Sequence, residues 1–147
     1  MLFRSELKNL ALDHPIVGEL DDVFFCPQSR HAGIPDDAME EAAKKGRLKL
    51  LAYGVEAGYT IFSTTDDRFI AHTGHPEYNA TRLADEAKRD HGNPDVPPPV
   101  NFDFKEPLNR WRSHRNTFFT QWVSYCYLKI STQDMSVEKN LLASTTV

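Results

Sequence analysis

At 147 residues, 40% hydrophobic and 11% aromatic, the chain is long enough for one domain with a sizeable core and too apolar to be disordered. A formal charge of −4, with basic residues scattered apart from Lys44-Lys45 and the short Arg110-Trp111-Arg112 stretch, excludes an electrostatic footprint for nucleic acid. No apolar run approaches the roughly 18 residues that cross a bilayer, so no membrane partner is expected.

The stretch Met1 to Pro15 has charges at every few positions and no apolar core of the kind a signal peptide carries, so the expected compartment is the cytoplasm. Val23-Phe24-Phe25-Cys26 reads as a short strand stopped by Pro27. Pro35 to Lys45, opened by Asp36-Asp37 and followed by Gly46, reads as a short helix. Leu48 to Tyr53 is an apolar strand between Gly46 and Gly54. Tyr59 to Ser63 and Arg68 to His72 flank Thr65-Asp66-Asp67, the pattern of a hairpin or of two neighbouring strands. After Gly74 the texture turns helical. Asn79 is placed to cap a helix over 80–90, which ends before His91-Gly92. Asn93 to Pro107, with prolines at 94, 97, 98, 99 and 107, is a connecting loop. From Asn109 to about Ile130, Trp111, Phe118, Trp122, Tyr125 and Cys126 recur at threes and fours, with Phe119 and Val123 beside them, predicting an amphipathic helix that buries aromatic bulk. Residues 131–147, polar apart from Leu141-Leu142, are expected to be a loosely ordered tail after a domain spanning 1–130.

Strands followed by helices indicate an α/β domain, although no glycine-rich or nucleophile-bearing turn occurs. Cys26 and Cys126 read as two unpaired thiols, and neither belongs to a Cys-x-x-Cys pair that would hold structural zinc.

Chemistry concentrates at Gly74-His75-Pro76-Glu77-Tyr78. Proline pushes His75 towards an extended conformation, in which residues i and i+2 project to one side roughly 6.6 Å apart at Cα. An imidazole and a carboxylate can close that gap, and the carboxylate then fixes the ring tautomer and stabilises the imidazolium. That is a general base with its orienter. The same residues fit a surface turn histidine and a glutamate capping the next helix. A zinc site using His72, His75 and Glu77 would need the Pro-Cys-x-x-Cys partner of nucleotide deaminases, which the chain lacks, so no metal is expected.

His-Pro-Glu after a strand resembles class I glutamine amidotransferase-like domains. The longer run Thr73 to Tyr78, followed by Glu86 and Arg89-Asp90, resembles the homoserine O-acyltransferases (O-succinyl- and O-acetyltransferases) of methionine biosynthesis. His14-Pro15 with Asp21-Asp22-Val23-Phe24 resembles that family's "HPL…FDDEF". Pro27-Gln28-Ser29-Arg30 resembles its "PHSR", and Trp111-Arg112-Ser113-His114 with Asn116, Phe118-Phe119 and Trp122 its "WRSH-x-N-x-x-F-x-NW". The four matches are ordered and run from about Leu2 to about Ile130.

The resemblance implies the C-terminal half of a flavodoxin-like, class I glutamine amidotransferase-like three-layer fold. It also implies an acyl group passing from succinyl- or acetyl-coenzyme A to a cysteine thiolate and then to the hydroxyl of L-homoserine. Acyl-coenzyme A would be a co-substrate, with no bound cofactor. His75 would be the base and Glu77 its orienter. Arg89 would clamp the homoserine carboxylate, Glu86 would hold its amine or position Arg89, and Ser29 would add a hydroxyl. Without the resemblance, Glu86 and Arg89 read as an exposed i,i+3 ion pair of about 0.2–0.5 kcal/mol.

The family's nucleophile lies on an elbow in the half that would precede Met1. Neither Cys26 nor Cys126 has the small neighbours an elbow needs. The chain alone is therefore expected to be inactive, as a part that joins a complementary N-terminal half or forms a homo-oligomer. An inactive remnant or binding domain, and the base-carrying subunit of a split enzyme, are the alternatives. The Trp-Arg-Ser-His segment argues against a different amidotransferase-like hydrolase.

Overall fold

The computed structural model describes residues 2–30, 32–96 and 103–144, with side chains from Ser5 to Thr132 within those ranges. The elements are β1 (Leu2–Asn9), β2 (Val23–Ser29), α1 (Asp36–Lys44), β3 (Leu48–Gly54), β4 (Gly58–Thr64), β5 (Ile70–His72), α2 (Ala80–Arg89) and α3 (Arg112–Ser144). The fold is α/β. One sheet runs β2-β1-β3-β4-β5, and each neighbouring pair is antiparallel. The connection through α1 passes over β1 to join β2 and β3, which both pair with β1 antiparallel.

The sheet is curled so that its two edges approach each other. His75, three residues past β5, donates its backbone N–H to the Pro27 carbonyl of β2 at 2.8 Å. Curling hides edges that would otherwise template pairing with another chain.

β2 continues through Pro27 to Ser29, beyond the stop expected from sequence, with Pro27 opposite Arg4 in register. A proline costs least on an edge strand, where a missing N–H breaks no second ladder. The apolar run Phe24-Phe25-Cys26 does not alternate because both faces of β2 are covered. Phe24 and Cys26 belong to the main core with Leu7, Leu51, Ile61 and Phe118. Phe25 packs on the opposite side against a smaller cluster of Leu83, Ala87 and Trp111.

β1 carries no strong strand signal, because its buried positions include Ser5 and Asn9 alternating with exposed Glu6 and Lys8. Asn9 is satisfied within the loop that follows β1: its Nδ2 donates to the Val17 carbonyl at 2.8 Å and its Oδ1 accepts from the Ala11 N–H at 3.1 Å. The expected hairpin forms as β4 and β5, with Asp67 at φ 55 in the intervening turn.

α3 extends to Ser144, well past the expected end near Ile130. Its first turns are the buried ones. Trp111, immediately before the helix, is fully buried and donates Nε1–H to the Tyr78 carbonyl at 2.7 Å. His114 accepts the Phe25 N–H at Nδ1 (3.2 Å) and so faces Asp21 Oδ2 with a protonated Nε2 (3.1 Å). Phe118 enters the main core, with Phe119 and Tyr125 packed against it. Further along, Val123, Tyr127, Leu128 and Ile130 are exposed. Among the described residues no helix is long and apolar enough to cross a membrane.

Candidate functional site

The site is assembled where the curled edges meet. β5 delivers the chain to Thr73-Gly74, and Gly74 lies against β2 so closely that a Cβ there would sit 2.6 Å from Gln28 Nε2 and 2.7 Å from Cys26 Sγ. Only glycine fits that approach. It sets His75 at the surface, half-buried, with its N–H held by Pro27.

His75 Nδ1 lies 2.9 Å from Glu77 Oε1. A carboxylate accepts here, so Nδ1 carries the proton and Nε2 keeps the lone pair of a base. The ring stacks on Tyr78 with centroids 4.3 Å apart and planes 18° from parallel, which limits its rotation. Glu77 lines a cleft of about 240 Å³ with Ile70, His72, Gly74, Pro76, Phe118, Phe119 and Trp122.

A second cluster lies across β2. Glu86, buried on α2, accepts the Ser29 hydroxyl at 2.5 Å, the Tyr78 hydroxyl at 2.9 Å and an Arg82 guanidinium N–H at 3.2 Å. Burial raises its carboxyl, but the hydroxyls of Ser29 and Tyr78 and the charges of Arg82 and Arg89 outweigh that, and the net direction is down. Glu86 therefore stays ionised as the buried anion of the site. α2 holds it there because Asn79 caps the helix, its side chain accepting the Arg82 N–H at 2.8 Å.

Neither thiol faces His75 as an activated nucleophile. Cys26 is buried, and burial together with the Glu77 charge drives its thiol far upward, against thiolate formation. His72, which accepts the Gly74 N–H at Nδ1 (3.1 Å), places its Nε2 3.8 Å from Cys26 Sγ. Burial holds His72 at about 4, although the Glu77 charge opposes this, so the ring is neutral at pH 7. Cys126 is exposed on α3 and, like Cys26, free.

The family model described as homoserine O-succinyltransferase matches residues 2–132. The chain belongs to the homoserine O-succinyltransferase family. It is 37% identical over 122 residues to the homoserine O-succinyltransferase of Proteus mirabilis, a match covering 79% of this chain and 38% of that protein. It is also 37% identical over 130 residues to the homoserine O-acetyltransferase of Lysinibacillus sphaericus, covering 84% of this chain and 40% of that one. Against the homoserine O-succinyltransferase of Photorhabdus laumondii the identity is 34% over 140 residues, covering 91% and 43% respectively. The chain thus spans about two fifths of the length of the curated relatives it matches.

Within this homoserine O-succinyltransferase family member, the sequence-derived residues fall into three places. His75 and Glu77 are joined, and Ser29 and Glu86, 57 residues apart, are joined. Arg89 stands apart: its exposed guanidinium forks onto Asp90, with Nε–Oδ1 and Nη2–Oδ2 both at 2.7 Å. The arginine that reaches Glu86 is Arg82, which also lies over the Tyr78 ring at 5.6 Å from its centroid. Sequence reasoning missed Arg82 and Tyr78, although the i,i+4 spacing of Arg82 and Glu86 was the available signal.

Proposed function

We propose that this chain carries the general base, its orienting carboxylate and the amino-acid pocket of a homoserine O-acyltransferase. The reaction would move an acyl group from acyl-coenzyme A, the co-substrate, through a thioester to the hydroxyl of L-homoserine. The hydrogen bond from His75 Nδ1 to Glu77 carries this reading, because it leaves Nε2 free to take a proton.

In this scheme Glu77 stabilises the imidazolium as His75 Nε2 accepts the proton of the nucleophilic thiol and returns it to the departing coenzyme A thiolate. His75 then takes the proton of the homoserine hydroxyl and gives it to the thiolate released from the thioester. Glu86 receives the homoserine ammonium in place of the exposed Arg82 guanidinium, on a carboxylate already held by Ser29 and Tyr78. Arg89 takes the substrate carboxylate in the fork that Asp90 occupies here, since one carboxylate can replace another bidentately. The thiolate comes from a partner segment of the flavodoxin-like, amidotransferase-like whole, because burial disfavours ionisation of Cys26 and Cys126 lies on the exposed side of α3. The free thiols fit a reducing cytoplasm. The donor is succinyl- or acetyl-coenzyme A, as the names of the relatives alternate between the two.

The test is binding of L-homoserine to the chain, followed by NMR. Shifts at Ser29, Glu86 and Arg89, abolished by Glu86→Gln, are expected. Acyl transfer from either thioester by the chain alone is expected to be undetectable. Homoserine shifts confined to other surfaces would sink the pocket assignment, and turnover lost in Cys26→Ser would restore Cys26 as the nucleophile.

A further inference from the structure

We infer that Arg30 is a positioning residue that sets the His75 turn by clamping the two edges of the curled sheet together. The inference rests on the reading of His75 as the base, but its geometry is independent of any substrate. Arg30 follows directly after β2 and is half-buried. Its Nη1 donates to Thr73 Oγ1 at 2.7 Å, and its Nη2 donates to the Ala57 carbonyl in the connection between β3 and β4.

Thr73 is itself fixed to β4. Its N–H donates to the Thr60 carbonyl at 2.8 Å and its hydroxyl to the same oxygen at 3.3 Å. Thr73 immediately precedes Gly74-His75, so a guanidinium held by β2 grips the chain two residues before the imidazole. The Pro27 carbonyl holds the His75 N–H from the same strand. The turn is therefore gripped on both sides of Gly74, and the ring is delivered at the height where Nδ1 meets Glu77.

The chemistry requires arginine. A planar fork reaches two acceptors on different elements at once, whereas a lysine ammonium on a flexible stem is a single point charge. Burial lowers the pKa of Arg30 while the Asp36 charge opposes that, and an arginine remains charged under such a shift.

The experiment follows the imidazole protons of the full chain by two-bond proton–nitrogen NMR correlation, above the titration of the rings. The native chain is expected to show His75 with its proton on Nδ1. It should show His14 and His114 with theirs on Nε2, since their Nδ1 atoms accept the Ile16 and Phe25 N–H groups. Arg30→Ala and Arg30→Lys should each convert His75 to mixed tautomers without changing His14 or His114. Thr73→Val, which keeps the shape and removes the hydroxyl, should reproduce that loss, and Thr73→Ser should restore the native pattern. An unchanged His75 pattern in Thr73→Val would overturn the inference, as would changes at all three histidines in step. A failed homoserine experiment would leave these patterns untouched, so the two readings fail separately.

Discussion

Two histidine–carboxylate pairs in this chain have nearly the same separation and opposite surroundings. His14 Nε2 lies 3.1 Å from Asp67 Oδ1, and His75 Nδ1 lies 2.9 Å from Glu77 Oε1. The first pair links residues 53 apart in sequence and is almost shut away, with side chains 5% and 12% exposed. The second is made within one turn, with side chains 32% and 56% exposed. Asp67 also accepts from Lys49 Nζ at 2.6 Å and Ser63 Oγ at 2.7 Å, so its capacity is filled by the protein. Glu77, with its side chain 56% exposed, lines a cleft. The same two functional groups form a shielded, saturated knot in one place and a more exposed pair beside a cleft in the other, and burial with saturation of the acceptor makes the difference.

The largest effect is expected from breaking the buried member. Asp67→Asn keeps the shape and tolerates the φ of 55, but removes the charge that three donors address. A loss of about 2–3 kcal/mol in chemical denaturation is expected, since partly buried donors lose their charged acceptor. Burial raises the Asp67 carboxyl, but the bonds from Lys49, His14 and Ser63 overcome it and leave the group at about 2. The unfolded value is about 3.9, so the folded state binds this proton less readily. The stabilisation is then complete above about pH 4 and disappears as the pH falls towards 2. An acid melt in which Asp67→Asn loses no more stability above pH 4 than below it would remove the distinction between the pairs.

Gly74→Ala should cost less, about 1–3 kcal/mol, because the new methyl meets Gln28 Nε2, Cys26 Sγ and, at 3.0 Å, the Pro27 carbonyl. The strand-borne carbonyl cannot swing away, so the turn must move. Hydrogen exchange at the His75 amide should accelerate in this variant, and unchanged protection would show that the turn is looser than its contacts indicate.

Glu77→Gln should have the smallest effect on folding, within about 0.5 kcal/mol, as expected for a mostly exposed pair. The same denaturation measurement decides it. A loss as large as that of Asp67→Asn would mean that the site pair is structural after all.

The short-range parts of the site were legible in sequence because each depends on a few neighbouring residues. His75 meets Glu77 within a turn closed by the Tyr78 N–H on the His75 carbonyl at 3.1 Å, where an extended segment was expected, and Asn79 caps α2 through the Arg82 N–H. The long-range parts had no such signature. β1 escaped because Ser5 and Asn9 occupy positions where apolar residues would mark the buried face. Pro27 looked like a strand end because its edge location, and the His75 N–H its carbonyl receives, depend on the curl of the sheet. The amphipathic pattern of α3 set Val123 beside the face expected to be buried, yet among the described residues nothing covers it and it is 66% exposed.

By itself the sequence determined the α/β class, the α2 cap, the imidazole–carboxylate turn and, through its ordered motifs, the family. Tertiary structure alone decided that Ser29 reaches Glu86 and that the Pro27 carbonyl receives the His75 N–H. The physical reason is range. Propensity, proline stereochemistry and capping act over three or four residues, whereas a buried carboxylate chooses its partners from whatever the closing sheet brings beside it, here a serine 57 residues away.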